Sequence, residues 1–216
     1  MPPILHIMRH GQGEHSTAVN GENGKNVRDA PLTQKGKEQC AERCRSFDSH
    51  DKVQLLLASP LRRALQTCAY SFEPCIDRGM KILALPMAEE ATNDPCDTGS
   101  PVHVLKEEFP NRVDFDHVSE GWFLHEGEYA VDPISLRLRA AKLRRFVRER
   151  PERVVVLVSH GFFNHYMTGD VNEQGEQTTG WWQETELRTF TFAEGEDEEA
   201  KLVETEESRR RREAEQ

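Results

Sequence analysis

The chain has 216 residues, of which 36% are hydrophobic, so it is long enough to form one domain with a substantial core. Its 28 Lys and Arg residues against 38 Asp and Glu residues give a net charge of -10. Nucleic acids and anionic membranes attract cationic surfaces, and we therefore predict neither as a partner. The five cysteines include no Cys-x-x-Cys pair, which favours reduced thiols over a disulfide framework or a cysteine-bound metal.

The first apolar run, residues 4–8, is too short for the hydrophobic segment of a signal peptide or for a membrane span. No run of membrane length follows it, so we expect a soluble cytoplasmic protein. The oligomeric state cannot be predicted from these features.

Short apolar runs alternate with amphipathic segments along most of the chain, which predicts a layered α/β fold. The predicted strands are residues 4–8, 53–58, 82–85 and 154–158. Predicted helices at 33–47, 60–72 and 134–150 carry apolar residues on one side and should cover the sheet.

Two regions depart from this alternation. Residues 93–132 are rich in Pro, Gly, Asp and His, and we predict an insertion with short helices over one sheet edge. A strand is predicted at 187–192, after which residues 194–216 are almost wholly charged and are expected to form either a solvated helix or a disordered tail. We therefore predict a domain over 1–193 and a charged C-terminal tail over 194–216.

Ionisable side chains follow each of the four predicted strands, and the carboxyl ends of parallel strands meet at the ligand crevice of an α/β sheet. Two arginines, two histidines and a carboxylate converging there would suit a dianionic phosphate. The helix that begins near Pro60 should add its N-terminal amides. The residues concerned are Arg9 and His10 after the first strand, Arg62 and Arg63 after the second, Glu89 and Glu90 after the third, and His160 and Gly161 after the fourth.

A neutral imidazole can attack phosphorus when its other nitrogen is held as a donor, and His10 suits this role. A carboxylic acid must protonate the leaving oxygen, and either Glu89 or Glu90 could do so. Either Arg62 or Arg63 could bind the phosphate, because neighbouring helical residues point about 100° apart. The other histidines lack the spacing of metal ligands, so we predict no metal and no cofactor.

At these positions the sequence resembles the histidine phosphatase superfamily, in its phosphoglycerate mutase-like branch and especially its fungal members. The similarity extends from residue 4 to about residue 192 and rests on four specific segments. They are Arg9-His10-Gly11-Gln12, Ala30-Pro31-Leu32-Thr33-x-x-Gly36-x-x-Gln39, Ser59-Pro60-Leu61-Arg62-Arg63-Ala64-Leu65-Gln66-Thr67 and Val158-Ser159-His160-Gly161. A Pro95-Cys96-Asp97-Thr98-Gly99 segment adds to the likeness to fungal members.

The resemblance implies a three-layer α/β/α sandwich with a mostly parallel central sheet and a partly helical insertion over the active site. It also implies that Arg63 is the phosphate ligand, with Arg62 in an accessory position, and that Glu90 is the proton donor. Arg9 and His160 would bind phosphate with help from the Gly161 amide. Ser16 stands where relatives usually carry Asn, and its hydroxyl can still donate to a phosphate oxygen.

We therefore predict a metal-independent phosphatase that hydrolyses a small-molecule phosphate ester through a phosphohistidine on His10. Two alternatives remain open: phosphotransfer of the phosphoglycerate mutase type, and a catalytically silent module that binds phosphate for regulation. The substrate is not readable from the sequence. Aromatic residues considered as pocket walls are Trp122, Phe123, Trp181 and Trp182.

Overall fold

The computed structural model describes residues 1–195 and 199–214. Its centre is a seven-stranded sheet with the order β4-β3-β2-β5-β1-β6-β7. Strands β1 to β5 run parallel, whereas β6 is antiparallel to both of its neighbours. The strands are β1 (Ile4–Arg9), β2 (Leu55–Ala58), β3 (Ile82–Ala84), β4 (Val113–Asp114), β5 (Val154–Ser159), β6 (Leu187–Phe192) and β7 (Leu202–Glu204).

The central strands are apolar on both faces because helices cover both sides of the sheet. In β5, Val155 and Leu157 belong to one hydrophobic core, whereas Val156 and Val158 belong to the other. Successive side chains of a strand point to opposite faces, so an uninterrupted apolar run supplies both cores. This explains why the sequence of β5 shows no polar alternation.

Eight α-helices are found among the described residues: α1 (Thr17–Asn20), α2 (Gln34–Ser46), α3 (Arg62–Ser71), α4 (Glu73–Asp77), α5 (Val102–Glu108), α6 (Pro133–Arg148), α7 (Gly161–Thr168) and α8 (Glu206–Ala214). Apolar residues of α3, α4 and α5 form one core with the sheet, and those of α6 and α7 form the other. Thr33 caps α2 by accepting from the Gly36 amide across 3.0 Å, and Asp132 caps α6. The predicted three-layer α/β/α sandwich is confirmed.

The insertion and the C-terminal region both extend the sheet. Strand β4, only two residues long, lies in the insertion and adds an edge beside β3, as the register Ile82 to Val113 shows. Strand β7 lies beyond the predicted boundary at 193 and pairs with β6. The first turn of α8 is hydrogen-bonded to β6, because the Thr189 amide donates to Ser208 Oγ across 2.9 Å. Neither short strand was predicted, and residues 196–198 and 215–216 of the tail lie outside the described residues.

The strand register brings the predicted functional residues to one edge of the sheet. Arg9 lies opposite Ser159 at the carboxyl ends of β1 and β5, and the His10 amide donates to the Ser159 carbonyl across 3.0 Å. The residues that follow β2 and β3 emerge at the same edge. No helix among the described residues is long and apolar enough to cross a membrane.

Candidate active site

A cavity of about 740 Å³ opens at this edge of the sheet. Six of the eight predicted site residues line it: Arg9, His10, Ser16, Arg63, Glu90 and Gly161. His160 lies directly behind them, with its ring centroid 5.1 Å from that of His10. Arg62 does not line this cavity.

The imidazole of His10 is fixed in one tautomer. Its Nδ1 lies 2.7 Å from the carbonyl oxygen of Gly11, and because a carbonyl only accepts, Nδ1 carries the proton. Its Nε2 is therefore unprotonated, and the Nε2 lone pair accepts a hydrogen bond from Nε of Arg63 across 3.2 Å. Burial, and then the charge of Arg63, hold the pKa of His10 well below its usual range. The ring is neutral at physiological pH, as a nucleophile requires.

Arg63 is the centre of the site's hydrogen-bond network. Beyond His10, its buried guanidinium donates to the Cys96 carbonyl at 2.7 Å, to Asp97 Oδ1 at 2.6 Å and to His160 Nδ1 at 3.2 Å. Asp97 is itself buried and accepts a second hydrogen bond from the Thr92 hydroxyl. Asp97 lies in the Pro95-Cys96-Asp97-Thr98-Gly99 segment but was not predicted to be a site residue. Asp97 compensates the charge of Arg63 and fixes its orientation.

The hydrogen bond from Arg63 also fixes the tautomer of His160. Because Arg63 donates to its Nδ1, the proton of the neutral ring is on Nε2. Nε2 is buried and has no hydrogen-bond partner within the described residues. Burial and then Arg63 place the pKa of His160 well below its usual range, so the ring is a neutral donor. An oxygen of a bound anion would satisfy this donor.

Arg9 and Gly161 lie against each other at the cavity wall. Nη1 of Arg9 donates to the Trp182 carbonyl across 2.5 Å, whereas its buried Nε has no partner within residues 1–195 and 199–214. A Cβ atom at Gly161 would lie 3.1 Å from Nε of Arg9. Glycine at this position therefore leaves room for the guanidinium to face the cavity.

The structure separates the two neighbouring carboxylates. Glu90 lines the cavity, and its oxygens accept from the Phe163 amide at 2.8 Å and the Phe162 amide at 3.3 Å, in the first turn of α7. Burial, and then the charge of Asp97, raise the pKa of Glu90, which favours the protonated acid.

Glu89 points away from the cavity and is fully buried. Its Oε1 lies 3.4 Å from Nη1 of Arg139, and Nη2 of Arg139 donates to the backbone carbonyls of Glu89 at 2.9 Å and Glu90 at 3.0 Å. Glu89 therefore belongs to a structural ion pair beneath the site, and Glu90 is the carboxylate that faces a ligand.

The structure differs from two expectations about the start of α3. The Arg62 guanidinium forms ion pairs with Asp29 at 3.0 Å and Glu108 at 2.6 Å, and it does not line the cavity where an accessory ligand was expected. The first amides near α3 are not free for a ligand either. The Leu61 amide donates to Ser59 Oγ at 3.3 Å, and the Arg62 amide donates to Asp29 Oδ1 at 2.9 Å.

His15 is a cavity residue to which the sequence analysis gave no role. Its ring centroid is 5.4 Å from that of His10, and its buried Nδ1 has no partner within the described residues. Burial, and then Arg63 and Arg9, lower the pKa of His15 to about 2. No motif marked this histidine, because only the path of the loop after β1 brings it beside His10.

Among the four aromatic residues considered as pocket walls, Trp181 lines the cavity. Trp122 and Trp182 are buried in the core, and the Trp122 indole donates to the Ser100 carbonyl across 3.0 Å. Phe123 packs against Trp122 with ring centroids 5.8 Å apart. Ser16 lines the cavity where it precedes α1, and its hydroxyl makes no capping hydrogen bond.

The described residues contain no group of three or more His, Cys, Asp or Glu side chains arranged to hold a metal ion. The cavity instead gathers two guanidiniums, neutral imidazoles and a carboxyl group with a raised pKa. An α/β protein with this site can bind a phosphoryl group through arginine and imidazole donors.

Comparison with known proteins agrees with this class. The sequence model of the histidine phosphatase superfamily (branch 1) matches residues 5–207, and the chain belongs to this family. A probable phosphatase of Schizosaccharomyces pombe is 28% identical over 161 residues, which are 73% of each chain. The family and this relative support phosphatase activity.

Solved structures of phosphatases share the fold. A phosphoserine phosphatase of Entamoeba histolytica has a TM-score of 0.59 at 18% identity, over 94% of this chain and 95% of its own. A mycobacterial glucosyl-3-phosphoglycerate phosphatase has a TM-score of 0.59 at 15% identity, over 94% of this chain and 97% of its own.

Proposed function

We propose that this protein hydrolyses a small-molecule phosphate monoester through a phosphohistidine formed on Nε2 of His10, without a metal ion. The observation that carries the proposal is the hydrogen bond from Nδ1 of His10 to the Gly11 carbonyl, at 2.7 Å. It keeps Nε2 unprotonated, so that its lone pair can attack once Arg63 donates to the phosphoryl group, and it stabilises the positive charge that the ring acquires when Nε2 is phosphorylated.

In the first step, Nε2 of His10 attacks phosphorus and the bond to the ester oxygen breaks. Glu90, whose pKa is raised, gives its proton to that leaving oxygen. Arg9, Arg63 and the Nε2 proton of His160 bind the phosphoryl oxygens as charge develops on them. Preorganised donors of this kind each contribute about 3 kcal/mol to lowering a barrier.

In the second step, the Glu90 carboxylate takes a proton from water as the water oxygen attacks phosphorus. The bond between phosphorus and Nε2 breaks, inorganic phosphate leaves, and His10 and Glu90 return to their initial states. Ser16 and the Gly161 amide, both at the cavity wall, would add hydrogen bonds to the phosphoryl group. The cationic side chains supply the charge that a metal ion supplies in other phosphatases.

A phosphate-release screen tests this proposal. The panel consists of aryl, sugar, nucleotide and prenyl phosphates and a phosphopeptide, each assayed with wild type and with His10→Ala, with and without a chelator. We expect release from at least one class by wild type, loss of release in the variant and no effect of the chelator. Absence of release from every class, equal rates in the two proteins, or abolition by the chelator would contradict it.

The same assay separates the two alternatives. Phosphoglycerate interconversion with little free phosphate would indicate a mutase. Binding of phosphate without turnover of any ester would indicate a silent regulatory module.

A further inference from the structure

The part of the cavity beyond the phosphate-binding groups is lined by aromatic and charged side chains. We call this part the outer half, and its charged and aromatic lining residues are Lys25, Asp94, Phe162, Glu176, Trp181 and Glu184. It would contact the organic group of a bound phosphate ester, because His10, Arg9 and Arg63 hold the other end.

One wall of the outer half is aromatic. The side chain of Trp181 is 57% exposed although it lines a cavity, and its ring centroid lies 6.2 Å from that of Phe162. The ring of His165 packs against the indole in a T-shaped arrangement, with ring centroids 5.9 Å apart. An exposed tryptophan held in place in this way offers a flat apolar surface to a ligand.

The charges of the outer half are predominantly negative. Lys25 is the cation among these six residues, and it lies 3.4 Å from Asp94. Glu176 accepts from the Asn172 side-chain amide at 2.9 Å. The carboxylate of Glu184 accepts from the Gln39 side-chain amide at 2.8 Å and acts on the charge of Arg9, at the boundary with the phosphate-binding groups.

An anionic substituent on the organic group would therefore lie close to carboxylates. The nearby cations would offset little of the repulsion, because they already have acidic partners. Like charges brought together in a concave site repel one another. A neutral or cationic organic group would avoid this repulsion, and an aromatic group would contact Trp181 and Phe162.

We infer that the substrate is a phosphate monoester with an apolar, preferably aromatic, organic group that carries no anionic substituent. This inference rests on the proposed phosphatase function. It excludes carboxylate-bearing esters such as phosphoglycerates and phosphoserine as preferred substrates, and it thereby favours hydrolysis over mutase chemistry.

Three matched esters test the charge preference: 2-phenylethyl phosphate and its para-carboxylate and para-aminomethyl derivatives. The two methylene groups insulate the ester oxygen from the ring substituent, so leaving-group chemistry stays nearly constant. We expect kcat/KM for the carboxylate at least about tenfold below that of the parent, and a value for the amine equal to or above the parent. At high salt this discrimination should narrow.

The double variant Glu176→Gln and Glu184→Gln tests whether these two carboxylates cause the lower kcat/KM of the carboxylate ester. Amide side chains keep the shape of the outer half and remove the negative charges of these two residues, so the ratio of kcat/KM between parent and carboxylate ester should fall to within about threefold. An unchanged ratio in this variant would overturn the assignment to these two residues.

The aromatic wall is tested with Trp181→Ala on 2-phenylethyl phosphate and ethyl phosphate. We expect kcat/KM for the phenyl ester to fall by about tenfold more than that for the ethyl ester, because only the phenyl ring contacts the indole. Equal losses would overturn the role of Trp181.

The outcomes distinguish this inference from the proposed function. If wild type releases phosphate from none of these esters or from any other in the panel, the phosphatase proposal fails. If His10-dependent release occurs but the carboxylate ester reacts as fast as the parent or faster, the phosphatase proposal stands and the inferred substrate class is wrong.

Discussion

The Nε–H of Arg63 donates to Nε2 of His10 across 3.2 Å, so the proposed nucleophile and a proposed phosphate ligand are direct partners. The same guanidinium contacts His160 and Asp97. A phosphoryl group that enters the cavity would take over donors of Arg63 and release the Nε2 lone pair for attack. The network therefore links substrate binding to exposure of the nucleophile.

We expect Arg63→Lys to lower kcat/KM by about 100-fold or more, because one ammonium group cannot replace a planar guanidinium with four contacts. Steady-state phosphate release, with circular dichroism to verify folding, measures the effect. Arg62→Lys is the matched control: Arg62 lies outside the cavity, and its substitution should leave kcat/KM within about threefold of wild type. Similar losses in the two variants would contradict the assignment of Arg63.

Glu90→Gln removes the proposed acid, and its effect should depend on the leaving group. An alkyl phosphate needs a proton on the departing oxygen and should lose kcat by about 100-fold or more, whereas an aryl phosphate with an acidic phenol should lose far less. The comparison of the two substrates in single-turnover experiments measures this dependence.

Glu89→Gln provides the control for the acid. Glu89 pairs with the buried Arg139, so its substitution should lower stability without introducing a dependence on the leaving group. If both glutamine variants show the same pattern across leaving groups, Glu90 is not the acid.

His15→Phe keeps an aromatic ring in place and removes the ring nitrogens. Because the buried Nδ1 has no partner within the described residues, we expect it to gain one when a phosphoryl group binds. A hydrogen bond to a charged group is worth about 1.5–3 kcal/mol, so kcat/KM should fall at least about tenfold. Inhibition by tungstate, as a phosphate analogue, should weaken in proportion.

Gly13→Ala tests the same ring by another route, since a Cβ at Gly13 would lie 2.5 Å from Nδ1 of His15 and displace it. Unchanged tungstate inhibition in both variants would show that His15 does not contribute to phosphate binding.

His6 allows a test of pH-dependent stability away from the cavity. Burial and Arg211 lower its pKa to about 4 in the folded protein, against about 6.5 for an unfolded chain. Below pH 6.5 the unfolded state therefore binds a proton that the folded state does not, and the stability of wild type falls as the pH falls toward 4.

His6→Gln lacks this titration. As the pH falls from about 6.5 toward 4, the free energy of unfolding of the variant should therefore rise relative to that of wild type, by up to about 1.4 kcal/mol per pH unit. Urea unfolding at about pH 7, 6 and 5 measures the difference. A difference that does not vary with pH would contradict the lowered pKa.

The fold was predictable because its central strands are apolar on both faces. Ionisable residues follow these strands, and they indicated where the site lies. The runs that contain β1 and β5 marked both the strands and the positions of His10 and His160. The two-residue β4 and three-residue β7 escaped prediction because their stability comes from pairing with β3 and β6 and not from local pattern.

The site was predictable only where a residue directly follows a strand or belongs to a recognised motif. Residues near the strand ends, such as Arg62 and Glu89, could not be told apart from Arg63 and Glu90 without the resemblance, because their orientation depends on Asp29 and Arg139. Asp97 reaches the cavity through a loop distant in sequence from Arg63, and His15 reaches it through the path of the loop after β1. Placement by the path of a loop leaves no periodic signal in the chain.

The central claim is that His10 becomes covalently phosphorylated, and rapid-quench trapping tests it most directly. Wild type is mixed with a radiolabelled phosphate ester that the release screen has identified, quenched in alkali within one turnover and digested for mass spectrometry; His10→Ala is the control. The account predicts acid-labile, alkali-stable phosphate on the peptide that contains His10, and none in the variant. Rapid turnover without such a label, or a label that persists in His10→Ala, would contradict it.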